Sequence, residues 1–304
     1  MNDPINDIAS LNHRFSIPDV AFFDDGQGGL IRLTIKSAAA DAEIYLHGAH
    51  VTRFDPRGQP PVLFMSAKSQ FAPGKPIRGG VPICFPWFGP KAGDAKAPAH
   101  GFARLVEWNV ESVKQNGTDV SAVLSLVSNE ETKSLWSAEF SATYTVTVGS
   151  ELHLSLAIKN TGSTAMKFEE ALHTYLTVGD VETIWIEGLG DTTYIDKVNN
   201  AARTAQSTAP IRFIDETDRV YLATRATCIV HDPSLGRQIR VAKTGSDATV
   251  IWNPWINKAK AMADFGDDEW PGMVCVETCN VADHAVTLEA GATHTMTAGI
   301  STTR

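Results

Sequence analysis

Apolar and polar residues alternate with a period of two along most of this chain. Val120, Ala122, Leu124 and Leu126 share one face of a segment, as do Ala142, Tyr144, Val146 and Val148, followed by Leu152, Leu154, Leu156 and Ile158. Such alternation turns one set of side chains to a core and the other to water, which is what a half-buried β-strand requires. Gly149-Ser150 separates the last two runs and reads as a two-residue hairpin. The same pattern predicts strands at 31–36, 43–54, 108–113, 168–178, 211–213, 227–231, 239–243, 249–252, 273–280 and 285–289. Helical spacing is scarce; the clearest stretch is 257–265, closed by Gly266 and Pro271. Dense strands separated by turn residues predict an all-β fold, a sandwich or barrel. No linker, low-complexity break or 20–50-residue repeat divides the alternation, so one domain over 1–304 is expected, with residues 1–15 as a loosely attached arm.

Composition changes this picture little. At 304 residues and 43% hydrophobic content the chain can fill a large core, and its formal net charge of -9 argues against nucleic acid or acidic membrane surfaces as partners. Any anionic ligand must then be met by a local group of cations. Four cysteines (Cys84, Cys228, Cys275, Cys279) are too few for a disulfide scaffold and lack zinc-ligand spacing, so a reducing compartment and no metal are expected. The N-terminus has no signal-peptide pattern, and no stretch approaches the ~18 apolar residues of a membrane span. A cytoplasmic monomer is the expectation.

Candidate chemistry gathers in a few segments. Arg78-Gly79-Gly80-Val81-Pro82, Pro86-Trp87-Phe88-Gly89-Pro90 and His100-Gly101-Phe102-Ala103-Arg104 bring glycines, stiff aromatic rings, two arginines and a histidine together. Arginine presents a planar fork of donors suited to phosphate or carboxylate, so these segments read as the rim of a pocket for a small anionic ligand. The loop from Gly89 to Pro98 has the composition of a lid. On the segment 169–178, His173 shares a face with Glu169, Ala171, Tyr175 and Thr177; it can serve as a proton donor or acceptor, or as a structural histidine. On 273–280, Glu277 shares a face with Cys275 and Cys279, a setting that would raise its pKa if buried; the alternative is a salt-bridged edge residue. Asp218-Arg219 lies in a polar stretch that reads as solvated surface, and Trp252-Asn253-Pro254-Trp255 as either a sugar-stacking wall or a capped turn. There is no phosphate-cradling loop, dinucleotide turn or nucleophile elbow.

Together these segments, with Leu172-His173-Thr174-Tyr175, Thr217-Asp218-Arg219-Val220-Tyr221 and Val274-Cys275-Val276-Glu277, resemble the aldose 1-epimerase superfamily, and within it the hexose-6-phosphate mutarotase (glucose-6-phosphate 1-epimerase) branch. They follow the family's order over about 42–298. Ala99 and Leu105 stand where the family pattern leads one to expect glutamine and a polar residue. The resemblance implies an antiparallel β-supersandwich of the galactose mutarotase type with few short helices. It implies an isomerase that interconverts the α and β anomers of a hexose 6-phosphate without a cofactor. Glu277 matches the family's general base and His173 its general acid. Arg78 and Arg104 match residues that line the substrate site, while His100 and Asp218 match positions that contact sugar hydroxyls. A mutarotase for non-phosphorylated aldoses, or a non-catalytic sugar-phosphate-binding protein, are the rival expectations.

Overall fold

The computed structural model of the protein describes residues 7–304. Two eight-stranded sheets, a four-stranded sheet and a two-stranded ribbon make up an antiparallel β-sandwich, as the alternation predicts. The first large sheet runs, in spatial order, through Trp185–Glu187, Cys228–Asp232, Arg237–Thr244, Thr293–Thr303, Leu152–Asn160, Phe140–Val148, Asp119–Val127 and Asn109–Asn116. Its apolar face, including Leu124, Tyr144, Leu154 and Ile300, is almost wholly removed from water. Burying each such side chain contributes roughly 1.5–3 kcal/mol.

The second large sheet contains the segments that hold the candidate residues His173, Asp218 and Glu277. Its order is Ala202–Ala205, Thr193–Asp196, Thr217–Tyr221, Ala248–Asn253, Met273–Asn280, Glu170–Leu172 and Ile83–Cys84, with Tyr175–Thr177 also paired to Met273–Asn280. Period-two alternation divides its side chains between two clusters. Leu172, Leu176, Tyr221, Ile251, Val274 and Val276 enter the main core, which draws on residues from Leu11 to Ile300. Ala171, Tyr175, Val220, Val250, Cys275 and Cys279 pack on the opposite face. That second face is the floor on which the functional side chains stand.

Several expected boundaries shift. The run 43–54 is two strands, Ala40–Tyr45 and His50–Pro56, because Gly48 and Ala49 take positive φ (74° and 47°) and turn the chain between them. The run 168–178 is three short strands, since its amides leave the sheet partners to reach a neighbouring loop: His173 N–H donates to the Pro82 carbonyl and Tyr175 N–H to that of Gly80. The run 211–213 makes one bridge, Ile186 to Ile211. Three residues, 149–151, connect the predicted hairpin, whose last pair is Val148 and Leu152. Helix α3 covers Trp255–Ala261, two residues earlier than expected, because Asn253 Oδ1 accepts the Trp255 N–H.

The expected loose arm is only partly within the described residues. From Asp7 onward it is capped helix α1, Ile8–Phe15, whose Leu11 is buried in the main core. Helix α2, Glu130–Leu135, starts in a capping box in which Asn129 Oδ1 accepts the Thr132 N–H and Thr132 Oγ1 accepts the Asn129 N–H. Among the described residues no helix is long and apolar enough to cross a membrane.

Candidate active site

Strand register brings His173 and Glu277 together. Leu172 pairs with Thr278 and Tyr175 with Cys275, so the two intervening residues of each segment face each other and His173 stands opposite Glu277. The distance from His173 Nε2 to Glu277 Oε1 is 3.3 Å, and their side chains are 9% and 1% exposed. Tyr175 stacks on the His173 ring at 4.8 Å between centroids and 14° between planes, which fixes the imidazole. His173 Nδ1 and Glu277 Oε2 have no partner among the described residues.

Burial drives both groups toward their neutral forms. It pushes Glu277 well above the ordinary carboxylate range; Lys197 and Arg104 pull the other way, while Asp218 adds to the rise. It pushes His173 well below the ordinary imidazole range, with help from His100, Arg78 and Arg104. A buried pair of this kind titrates as a unit. With one proton between them it is neutral overall, and low dielectric favours that state over the cation above it and the anion below it.

The glycine-rich loops complete the site. His100 (φ 64°) and Gly101 (φ 74°) are both left-handed and wrap the chain around Phe85, whose carbonyl accepts from Phe102 and Ala103 N–H at 3.0 and 3.2 Å. His100 N–H donates to the Gly89 carbonyl at 2.8 Å and its Nδ1 accepts the Gly89 N–H at 3.3 Å. The ring edge lies against Phe88, with centroids 4.7 Å apart, and 5.7 Å from that of His173. Trp87 Nε1 donates to the Pro98 carbonyl, which closes the base of the Gly89–Pro98 loop.

A cavity of about 380 Å³ opens over the pair, and Arg78, His100, His173, Asp218 and Glu277 all line it. Phe88 and Trp252 form apolar walls. Trp255, in contrast, packs on Trp270, so within Trp252–Trp255 one tryptophan walls the cavity and the other belongs to a capped turn. Asp218 belongs to a strand, not to a solvated loop, and burial raises its pKa against the pull of Lys197 and Lys258. Cavities of about 410 and 480 Å³ elsewhere gather no histidine and no comparable buried pair.

Arg104 does not line this cavity. The residue is 8% exposed, with Nη2 donating to the Ala99 carbonyl and Nε without a partner among the described residues. Burial presses its pKa down, yet its charge reaches Glu277, His173 and His100. Arg78 does face the cavity, but Nε and Nη2 donate to Asp264 at 3.1–3.2 Å and Nη1 to the Tyr175 hydroxyl at 2.9 Å. Burial opposes its charge, and Tyr175 and Asp264 outweigh that. Motif reading did not find Lys197, Lys258 or Met262, which also line the cavity from an ordinary turn and a short helix.

Among the described residues, His173, Cys275 and Glu277 are the group of donors close enough to share a divalent ion, with ligand atoms within 4.8 Å of one another. The charges of Arg78 and Arg104 beside them oppose a cation there.

A family model described as aldose 1-epimerase matches residues 31–301. A protein of Escherichia coli (strain K12) named "Putative glucose-6-phosphate 1-epimerase" is 37% identical over 242 residues, 80% of each chain. One of the same name from Cenchrus ciliaris is 35% identical over 273 residues, covering 86% of this chain and 82% of that protein. The crystal structure of a "putative mutarotase" from Salmonella typhimurium superposes with a TM-score of 0.89 at 31% identity over 95% of this chain and 96% of that one. A galactose mutarotase related enzyme from Lactobacillus acidophilus, at 16% identity, shares the fold with a TM-score of 0.72 over 90% of this chain and 97% of its own.

Proposed function

Because this chain belongs to the aldose 1-epimerase family, we propose that its site opens and recloses the ring of a hexose 6-phosphate, glucose 6-phosphate in the first instance, and so interconverts the α and β anomers. The observation that carries this reading is the His173–Glu277 contact of 3.3 Å at the wall of a sugar-sized cavity. Anomerisation removes the proton from O1 and supplies one to O5. Both oxygens are bonded to the same carbon, so two groups side by side on one wall serve the reaction; they need not flank the sugar.

In ring opening Glu277 takes the O1 proton while His173 gives its proton to O5. The C1–O5 bond breaks and C1 becomes an aldehyde. The pair reacts from its less populated form, with the shared proton on His173 and a carboxylate on Glu277, and ends with the O1 proton on Glu277, so it stays neutral overall throughout. Rotation about C1–C2 presents the other carbonyl face, and the reverse transfers close the ring. Each proton transfer contributes typically ~10²–10⁴-fold. His100 and Asp218, which both line the cavity, hold sugar hydroxyls, and Phe88 and Trp252 cover ring faces. Arg104 acts through its charge by favouring the carboxylate form of Glu277.

This shared-proton scheme fixes the pH dependence. Falling pH adds a second proton to the pair, and the directions above place that event well below the ordinary imidazole value of 6.5. Rising pH removes the last proton, an event pushed well above the carboxylate value of 4.5. A profile of kcat/KM against pH should therefore have its acid limb clearly under 6.5. An acid limb at or above that value would show His173 titrating as an exposed imidazole and would contradict the shared-proton pair.

Activity on a non-phosphorylated aldose is the second reading, favoured by the engagement of Arg78 Nε, Nη1 and Nη2 with Asp264 and Tyr175, which leaves few of its five N–H donors for a phosphate. Polarimetry on freshly dissolved α-glucose 6-phosphate and α-glucose, each with added inorganic sulfate, separates the two. The phosphate reading requires faster turnover of the ester and inhibition by sulfate. Equal turnover of both sugars without inhibition would select the second.

A further inference from the structure

We propose that Lys197 and Lys258, acting beside Arg78, form the phosphate-recognising end of the cavity, an assignment that rests on the sugar-phosphate reading above. Sequence motifs place that clamp on Arg78 and Arg104, but Arg104 is not among the residues that line the cavity, and Arg78 commits donors on Nε, Nη1 and Nη2 to Asp264 and Tyr175. The cations lining the cavity among the described residues are Arg78, Lys197 and Lys258. Asp218 and Glu277 line the same cavity, and Asp264 and Glu216 pair with Arg78 and Lys258, so Lys197, which no carboxylate among the described residues holds at hydrogen-bond distance, is the cation most available to an anionic occupant.

The two lysines reach the cavity from different elements that converge on the strand Thr217–Tyr221. Lys197 follows the strand Thr193–Asp196, and its own N–H donates to the Asp218 carbonyl at 2.9 Å, which anchors the turn. Its ammonium lies 4.5 Å from the centre of the Phe88 ring, a cation–π contact that aims it across the cavity wall. The Asp218 carboxylate is 3.8 Å away, too long for a hydrogen bond, so the ammonium's donors are not committed to it. Lys258 extends from α3 and pairs with Glu216 at 3.0 Å, with the lysine side chain 43% exposed. A pair this wet is worth little and is readily exchanged for a doubly charged ligand. An ammonium is a compact charge with three rotatable donors, well matched to phosphoryl oxygens. Both anomers carry the same phosphate, so such contacts are uniform binding and act on KM, not on kcat.

The test compares Lys197→Gln, Lys258→Gln and the double variant with the parent protein. It measures kcat and KM for glucose 6-phosphate and for glucose, and the inhibition constant of inorganic phosphate. Each lysine removed should lower the preference for the ester by about 10-fold, the worth of one charge-assisted hydrogen bond. The loss should appear in KM, with phosphate inhibition weakened in parallel and partly restored by Lys→Arg. A parent that prefers the ester, with a double variant that keeps the whole preference, would overturn the lysine assignment and leave the function standing. A parent that treats both sugars alike would overturn the sugar-phosphate reading and this clamp with it. Weakened phosphate inhibition at unchanged sugar preference would place a separate anion site there and also overturn the assignment.

Discussion

A Glu277→Gln variant should lose about 10³-fold in kcat for anomerisation while KM changes little. Glutamine matches the shape of glutamate and keeps an acceptor and a donor beside His173, so the packing of a side chain only 1% exposed is retained. What disappears is the ability to take the O1 proton. The variant should also be at least as stable as the parent, because an ionisable group in a dry position is replaced by a neutral one. His173→Asn should cost a comparable factor. Since the two residues share one proton, the double variant should be scarcely slower than either single one, as expected for groups that act as a unit. Multiplicative losses in the double variant would mean two independent catalysts, and full activity in Glu277→Gln would remove that residue from the chemistry.

Gly101→Ala should destabilise the fold by about 3 kcal/mol, the sum of a left-handed backbone penalty and a steric clash. Gly101 has φ +74°, and a Cβ there would stand 1.9 Å from the Phe85 carbonyl oxygen. That oxygen is the acceptor for the N–H groups of both Phe102 and Ala103. Relieving the clash moves the turn that carries His100 and Arg104, so activity should fall along with the denaturation midpoint. Gly89→Ala is the control: φ is similar at +71°, but nothing lies within 4 Å of the added carbon. It should cost only about 1–2 kcal/mol. Equal midpoints for the two variants in urea unfolding would show that the Phe85 contact does not constrain this loop.

The features that sequence could reveal are those with a period or a motif. Alternation placed Cys275, Glu277 and Cys279 on one face and Val274 and Val276 on the other, and the two cysteines and the two valines do fall in opposite clusters. It also kept Ala171, His173 and Tyr175 in phase even though the strand is interrupted at 173 and 174. The contact between His173 and Glu277 depends on register between distant segments, which no local pattern encodes. The longest described strand, Thr293–Thr303, escaped notice because its buried apolar positions are only Met296, the small Ala298 and Ile300, with polar residues over the rest of its eleven positions apart from Gly299. Helix α1 buries a single leucine, so its apolar stripe is too thin to read. The motif located Arg104 beside the site, but only packing shows that its Nη2 donates to the Ala99 carbonyl. Lys197 and Lys258 had no motif at all; their role comes from where the turn and α3 place them.

Magnetisation transfer between the H1 resonances of α- and β-glucose 6-phosphate tests the proton-sharing pair most directly. At equilibrium and low temperature, the parent protein should accelerate exchange between the two signals, and Glu277→Gln at equal concentration should leave the rate within a few-fold of the uncatalysed one. Acceleration by both proteins alike, or by neither, would contradict a ring opening driven by His173 and Glu277.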